Sequence, residues 1–415
     1  MNKDLSDTDP AVFNAVNDER VRQESTVSLI ASENHVSEAV LRAQGSVLTN
    51  KYAEGYPGQR YYAGCEHVDE VERLAIKRAK RLWGADHVNV QPHSGTQANQ
   101  AVYNTVLEPG DKILSLDLNH GGHLSHGAAA NFTGQLYKVE HYYLQEETQR
   151  LDYDGLAEKA KEFEPDIIVS GFSAYPRKVN WERIQEAADD VGAYHLTDIA
   201  HITGLIAAGV HPSPVGVADF ITGSTHKTIR AGRGGIIMCG DEHADAIDKS
   251  VFPGSQGGPL MHNIAGKAVG FKEALKPEFE DYAKQVVEHC QLFAEELKGY
   301  GYDLVTDGTD NHLLLVDLRD SHPNISGSDV ENALAETGII LNGNTVPNET
   351  RSPFNPSGVR IGTPSITTRG FSDDDVRTLA QLIDERINNI HDDEVKERIS
   401  NRVESLCDAN PIYEQ

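Results

Sequence analysis

Apolar strand-like segments alternate with helical segments through the first two thirds of this chain, and this alternation constrains the fold most. Strands that alternate with helices form parallel sheets with helices packed on both faces. The sequence therefore predicts an α/β fold with a mostly parallel central sheet. The predicted strands lie around residues 88–90 and within 112–118, 166–175, 193–201, 219–227 and 234–239.

The pattern changes after about residue 258. A long helical region over 258–300 is followed by a strand over 313–318, and the last strong helix is predicted to start at Ser372. At 415 residues the chain exceeds the length at which one core usually stops growing. We predict an N-terminal helical arm over 1–25, a large domain over 26–278 and a smaller C-terminal α+β domain over 279–415.

The formal net charge of −27 is unusual, because 64 acidic residues stand against 37 basic ones. A surface this acidic repels phosphate backbones and anionic lipids, so nucleic acids and membranes are not predicted partners. Two interpretations remain: an ordinary acidic enzyme, or a protein adapted to high salt, where screening shortens repulsion to a few ångströms. The second interpretation, adaptation to high salt, is favoured.

The four cysteines are far apart and lack CxxC spacing, which fits a reducing compartment and argues against disulfides or a zinc ribbon. The N-terminus has no apolar signal segment, and no run is long enough to span a bilayer. These features predict a cytoplasmic protein.

Polar residues recur where predicted strands end. In a parallel sheet such ends share one edge, which is where ligands bind in α/β folds. The sequence thus predicts a ligand site at this edge, formed by Ser94, His123, Ser173, Asp198, His201 and Lys227.

Lys227 lies in the stretch ITGSTHKTIRAGRGG, among hydroxyl residues, His226 and glycines. A lysine desolvated in such surroundings can form a Schiff base with an aldehyde. The alternative is a surface lysine after a strand, with the glycines serving a turn.

Upstream, the turn from His93 to Thr96 leads directly into a helix. This arrangement suits a phosphate group but is also that of ordinary N-capping.

His120, His123 and His126 are spaced three apart in NHGGHLSHG. A metal site is one interpretation, but the diglycine disfavours a regular helix and no nearby ligands complete the set. A histidine on a glycine-rich loop is better suited to lie flat on a planar ligand. No metal is predicted.

The tyrosine- and glycine-rich segment over 49–64 follows neither the strand nor the helix period. Four tyrosines and a glutamate in a loop are costly unless they pack against something. The segment is predicted to lie at a subunit interface or to line a site.

Asp198 and Lys227 together favour pyridoxal phosphate chemistry, because a buried carboxylate can keep the pyridine nitrogen protonated while the lysine binds the aldehyde. His123 is suited to stack on the ring, and Ser173 and His201 to bond its 3′ oxygen. Candidate phosphate-binding residues are Ser94, Gly95, Thr96 and Ser224, with His226 nearby.

With these residues in place, the chain closely resembles the serine hydroxymethyltransferase family. The matching stretches run in the family's order from about residue 28 to 366. They include LIASEN, LTNKYAEGYPGQRYY, VQPHSGTQAN, HGGHLSHG, TDIAHITGLIAAG, STHKTIRAGRGG, VFPGSQGGPLMH and GVRIGTP. The resemblance implies a fold-type I pyridoxal phosphate enzyme that transfers the serine hydroxymethyl group to tetrahydrofolate or a related pterin through a cofactor aldimine.

The resemblance also implies residue roles. Lys227 would form the aldimine, with His226 beside it in the catalytic set, and Arg360 with Ser32 would bind the substrate carboxylate. The enzyme would be a homodimer or a tetramer with shared sites. Residues implied to reach the neighbouring subunit's site are Tyr52, Glu54, Tyr62, Gly257 and Gly258, with Glu54 as the acid–base group and Tyr62 also a substrate contact. Residues implied to contact the pterin are Leu118, Gly122 and Asn344.

Two other hypotheses remain: a threonine-type aldolase that ignores pterin, and a non-catalytic paralogue. Glu54, Tyr62 and the NTVPN loop favour the transferase over the aldolase, and intact Lys227, Asp198 and Arg360 disfavour the paralogue. The sequence departs from the family at Gly223 and at Gly232, where a proline is usual. We expect Gly232 to loosen its loop.

Overall fold

The computed structural model describes residues 4–413. The first three residues of the predicted arm and the last two of the predicted C-terminal domain lie outside the described residues.

Helices make up much of the described chain and include the predicted helical arm. They are α1 (Leu5–Thr8), α2 (Pro10–Ser25), α3 (Glu38–Gln44), α4 (Glu66–Trp83), α5 (Gly95–Val106), α6 (Phe132–Leu136), α7 (Tyr153–Phe163), α8 (Trp181–Asp189), α9 (Thr203–Ala207), α10 (Ala244–Lys249), α11 (Met261–Ala274), α12 (Pro277–Gly299), α13 (Gly327–Ala335), α14 (Pro364–Arg369), α15 (Asp373–Asn388) and α16 (Asp393–Ala409). In the described part of the chain, no helix combines the length and apolar character needed to cross a membrane.

The strands are short. They are β1 (Val27–Ser28), β2 (Gly55–Tyr56), β3 (Gln59–Arg60), β4 (His87–Asn89), β5 (Lys112–Leu116), β6 (Lys138–Tyr142), β7 (Ile167–Ser170), β8 (Tyr194–Asp198), β9 (Phe220–Ser224), β10 (Gly235–Cys239), β11 (Asp303–Leu304), β12 (Leu313–Asp317), β13 (Ile339–Ile340), β14 (Asn342–Asn344) and β15 (Gly358–Gly362).

Seven strands form the central sheet, in the order β4-β10-β9-β8-β7-β5-β6. All neighbours pair in parallel except β10, which is antiparallel to both β9 and β4. The predicted mostly parallel sheet is therefore confirmed, with one reversed strand that the repeating pattern did not reveal. Strand β7 ends at Ser170, short of the predicted 175, because Gly171 leaves the extended conformation with a φ of 100°.

Helices cover both faces of this sheet, as the alternation of buried side chains shows. In β7, Ile168 packs into the core shared with α4, α8 and α11. Its neighbours Ile167 and Val169 point the other way, into a second core with α5 and α10.

A four-stranded antiparallel sheet, β11-β12-β15-β14, belongs to the C-terminal part of the chain. It shares a third core with α13, α15 and α16. Helix α12 joins the two parts: Phe279 and Val286 pack on the central-sheet core, whereas Phe293 and Leu297 pack on the C-terminal one. The domain boundary near 278 remains a prediction.

The predicted helical region over 258–300 is confirmed and consists of two helices, because α11 ends before Pro277, which starts α12. One helix prediction needs correction. Ser372 caps α15 with the predicted capping box, but α15 is not the last helix, since α16 follows it.

Candidate active site

A cavity of about 220 Å³ opens where the parallel strands of the central sheet end. Six predicted strand-end residues line it together with four residues predicted from the phosphate turn and the Lys227 loop. The ten are Ser94, Gly95, Thr96, His123, Ser173, Asp198, His201, Ser224, His226 and Lys227.

Lys227 follows β9 on a loop whose backbone is held from outside the sheet. The Asn34 side chain donates to the Lys227 carbonyl (3.0 Å). Burial lowers the pKa of the Lys227 amine to about 8; Asp198 opposes this shift, and Arg360 and Arg233 add to it. A substantial neutral fraction near pH 8 makes this amine a nucleophile.

Asp198 ends β8, which pairs in parallel with β9. Its Oδ2 accepts hydrogen bonds from Asn99 Nδ2 (2.8 Å) and His126 Nε2 (3.0 Å), and Oδ1 accepts from Ala200 N (2.9 Å). Burial alone would raise the pKa of the carboxyl, but the His126 hydrogen bond and the nearby imidazoles hold this pKa below its usual range. Asp198 is therefore a buried anion.

Sequence reasoning missed the two side chains that fix Asp198. Asn99 is also held by Thr222, whose hydroxyl donates to Asn99 Oδ1 (2.5 Å). The spacing offered a signal, because Asn99 lies four residues after Gly95 and so on the same face of α5. Three further lining residues were also outside the predicted set: Phe172, Ala200 and Arg233.

The histidine triplet does not assemble as a set. His120 Nδ1 accepts from Leu144 N (3.2 Å), whereas His123 and His126 lie near Asp198. The ligand atoms of these last three residues fall within 4.8 Å of one another, which is compatible with a metal. The His126–Asp198 hydrogen bond accounts for the closeness of those two side chains without a metal, and His123 Nδ1 is hydrogen-bonded to Ser125.

One end of the cavity is formed by the start of α5 and the end of β9. Ser94 is the N-cap of α5, since its Oγ accepts from Gln97 N (3.2 Å), which confirms the capping interpretation. A Cβ on Gly95 would lie 2.8 Å from Ser224 Oγ, so the lack of a side chain at Gly95 lets the Ser224 hydroxyl approach the start of α5 closely. Free N–H groups at a helix start and adjacent hydroxyls form a site suited to an anion.

His123 and His201 are neutral imidazoles on the cavity wall. Ser125 N donates to His123 Nδ1 (3.2 Å), so the proton of this ring is on Nε2. Burial lowers the pKa of His123 to about 4 and that of His201 well below its ordinary value. His201 Nδ1 lies 3.2 Å from His312 Nε2.

Ser173 and Arg360 meet at the edge of the cavity. Ser173 Oγ donates to the Gly122 carbonyl (2.6 Å), which leaves its lone pairs for a donor in the cavity. Arg360, on β15, does not line the cavity but donates to the Ser173 carbonyl (2.6 Å) and to Asn342 Oδ1 (3.2 Å). Ser32 lies in the turn after β1, partly buried.

The residues implied as pterin contacts lie outside the cavity lining. Leu118 is exposed and Asn344 is half-buried on β14. Gly122 is buried, and both its N–H and its carbonyl are already hydrogen-bonded, to Asp117 and Ser173. Their roles stay predictions.

The residues implied to reach a neighbouring subunit form a separate cluster on the surface of the chain. Tyr52 and Tyr62 are 58% and 47% exposed, and their rings meet edge to face at 5.5 Å. The Glu54 carboxylate raises the pKa of Tyr62. A Cβ on Gly258 would lie 3.0 Å from the Tyr52 ring, and one on Gly257 3.4 Å from Glu54 Oε1.

Gly232 and Gly223 both lie in close contacts. A Cβ on Gly232 would lie 2.8 Å from backbone atoms of Gly266 and Lys267, and Thr225 Oγ1 donates to the Gly232 carbonyl (2.5 Å). A Cβ on Gly223 would lie 3.0 Å from Thr203 Oγ1. Gly232 thus permits close packing against α11, a role that the expected loosening did not include.

The donor set fits pyridoxal phosphate. The cavity offers a nucleophilic amine, a buried carboxylate and a hydroxyl-rich helix start, which match the cofactor's aldehyde, ring nitrogen and phosphate in kind. The glycine contact at Gly95 leaves room that a larger side chain would fill.

Comparison with known proteins gives one consistent result. Residues 5–383 match the family described as Serine hydroxymethyltransferase. Proteins named serine hydroxymethyltransferase from Halorubrum lacusprofundi, Haloarcula marismortui and Haloquadratum walsbyi are 69%, 68% and 68% identical to this chain. Each alignment covers 99% of this chain and 99% of the relative. All three organisms are halophilic archaea.

Proposed function

This chain belongs to the serine hydroxymethyltransferase family, and from that premise we propose how its own side chains carry the reaction. The enzyme depends on pyridoxal phosphate and moves the hydroxymethyl group of serine reversibly to tetrahydrofolate, giving glycine and 5,10-methylenetetrahydrofolate. The family does not favour the aldolase alternative. The observation that carries the assignment of residues is the pairing of the Lys227 amine with the buried Asp198 carboxylate in one cavity.

When bound, pyridoxal phosphate supplies an aldehyde that joins covalently to amino groups and a ring that stabilises negative charge at the substrate's α-carbon. Asp198 would hold a proton at the ring nitrogen, since its hydrogen bonds to Asn99 and His126 keep it ionised. Lys227 would supply the amine that captures the aldehyde.

The remaining cavity residues would orient the cofactor. His123 is proposed to lie on the ring face, and Ser173 and His201 to contact the 3′ oxygen. The neutral state of both imidazoles and the free lone pairs of Ser173 support these roles. The proposed phosphate-binding residues are Ser94, Gly95, Thr96, Ser224 and His226.

Arg360, helped by Ser32, is proposed to bind the substrate carboxylate. Its hydrogen bonds to Ser173 and Asn342 hold the guanidinium beside the cavity. Fixing the carboxylate selects which bond at the α-carbon stands perpendicular to the ring and breaks.

The exposed cluster around Tyr52 and Tyr62 supports a homodimer or tetramer with shared sites. Glu54 would act on the hydroxymethyl centre of a second copy's cavity, with Tyr52 and Tyr62 beside it. Gly257 and Gly258 would approach the phosphate there. Leu118, Gly122 and Asn344 are proposed to contact the pterin.

The four cysteines are free and buried, which supports a cytoplasmic location.

Conversion of serine to glycine with and without tetrahydrofolate tests the reaction. We expect glycine to form only with the pterin; glycine formed equally well without it would instead indicate an aldolase.

The Arg360→Leu variant tests the proposed carboxylate-binding residue: KM for serine should rise about a hundredfold or more while cofactor capture persists. Arg42→Leu, at a surface position that is 81% exposed, is the matched control.

A further inference from the structure

Lys267 is a buried lysine outside the cavity, and nothing in the proposed mechanism uses it. It lies on α11 with 1% of its surface exposed. Its Nζ donates to three backbone carbonyls, those of Val90 (2.7 Å), Pro92 (3.0 Å) and Gly235 (2.8 Å).

Three acceptors match the three N–H bonds of an ammonium group, whereas a neutral amine has only two. Among residues 4–413 no ion pair includes Lys267, and Glu72 is paired with Arg60 instead. Burial lowers the pKa of Lys267 to about 7, and the more distant Glu72 opposes that shift. The three carbonyl dipoles stabilise the ammonium form, which predominates below about pH 7 and which a phosphate dianion bound nearby would favour further.

The three carbonyls lie at the base of the predicted phosphate-binding residues. Pro92 is two residues before Ser94, and Gly235 N donates to the Pro92 carbonyl (2.9 Å). On the other side, Gly234 packs directly on the Lys267 side chain and accepts from Thr225 N (3.0 Å). Gly235 is also the β10 partner of Ser224, so Lys267 joins the segment that carries Ser94 to the strand that pairs with Ser224.

The positive charge of Lys267 also acts on these segments. Burial lowers the pKa of His93, and Lys267 is the next cause. Burial also lowers the pKa of His226, to which Arg233, Lys227 and then Lys267 add. A field that disfavours protonated imidazoles here favours a dianion at the same place.

We propose that Lys267 is a positioning residue for the cofactor phosphate: it fixes the Ser94 and Ser224 segments and supplies positive charge from beneath them. This inference rests on the proposed assignment of those residues to the phosphate. Lys267 acts through the backbone and does not touch the reacting atoms.

Equilibrium binding of pyridoxal phosphate and of unphosphorylated pyridoxal to the apoenzyme tests this. The readout is the ratio of the two dissociation constants, because a purely structural role would weaken both ligands alike. Lys267→Met removes the charge and the donors, whereas Lys267→Gln removes the charge but keeps two N–H donors. We expect both variants to lose about tenfold or more of the preference for the phosphorylated form. Lys272→Met, at an exposed position of the same helix, should keep the full preference.

Inorganic phosphate should also raise the Tm of the wild-type and Lys272→Met apoenzymes more than that of Lys267→Gln. Should Lys267→Met not fold, Lys267→Gln decides the question. A wild-type preference that survives in Lys267→Gln overturns the role of Lys267 and leaves the cavity assignment intact. A wild-type enzyme with no preference for the phosphorylated form overturns the phosphate assignment itself.

Discussion

The Lys227 amine illustrates how burial prepares a single residue for chemistry. Its surroundings lower the pKa to about 8, with Asp198 opposing the shift and two arginines adding to it. A lysine in water has a pKa of about 10.4 and is almost wholly protonated at neutral pH. Here about a tenth of the amine is in the nucleophilic neutral form at pH 7, and about half at pH 8.

This pKa predicts the pH dependence of cofactor capture. The rate at which apoenzyme binds the aldehyde covalently should rise as pH increases through about 8, because deprotonation creates the nucleophile, and should level off above that value. Stopped-flow absorbance from one pH unit below to one above measures it. A rate that falls with pH over this range would contradict the assignment.

Asp198 permits a sharper test of charge. In Asp198→Asn the hydrogen bonds from Asn99 and His126 lose their anionic acceptor, and the cofactor ring loses the group that would keep it protonated. We expect cofactor capture to persist and kcat to fall about a hundredfold or more.

Asp18→Asn, at an exposed position of α2, provides the control and should leave kcat unchanged. An Asp198→Asn enzyme with near-normal turnover would show that the carboxylate is structural only.

At the scale of elements, the β2–β3 hairpin is held by one arginine. Arg60 donates to Asp69 (2.8 Å) and Glu72 (2.5 Å), and its Nη1 donates to the carbonyls of Ala53 and Gly55. These two carbonyls flank Glu54. The buried ion pair therefore fixes the segment that carries the proposed acid–base group.

Arg60→Met should destabilise the fold by about 3–5 kcal/mol, because it leaves Glu72 buried without its cation. Denaturant unfolding at constant high salt measures the change. The double variant Arg60→Met, Glu72→Met should recover part of that loss, since it removes the unpaired charge. Equal instability of the single and double variants would mean that backbone hydrogen bonds, and not the ion pair, dominate.

The elements also show which features a sequence reveals. The strand–turn–helix pattern predicted the sheet and the edge where Ser94, Asp198 and Lys227 meet, because strand ends in parallel sheets are constrained to one edge. It did not predict the reversed β10, since a buried strand reads the same in either direction. Local spacing places Asn99 on the face of α5 that starts at Gly95 and His126 in the histidine triplet, but it does not show that both contact Asp198, because that contact joins distant segments.

At the scale of the whole molecule, the net charge of −27 accompanies relatives from halophilic archaea. In concentrated salt the screening length falls to about 3 Å, which suppresses repulsion between surface carboxylates. In dilute buffer this repulsion opposes the compact state.

The enzyme should therefore lose structure as salt is withdrawn. We expect the Tm measured by circular dichroism to fall steadily from molar KCl to dilute buffer. Sodium and potassium chloride should act alike if screening is the cause. A Tm that does not change with salt would mean that the acidic surface carries no stability cost.

The assignment of Lys227 as the covalent anchor in the strand-edge cavity is the central claim, and borohydride reduction tests it most directly. Holoenzyme reduced with borohydride and digested should yield one modified peptide, with the cofactor attached to Lys227. Lys227→Ala treated in the same way should yield none. Attachment at any other lysine in the wild-type enzyme, or a reducible adduct in Lys227→Ala, would contradict this account.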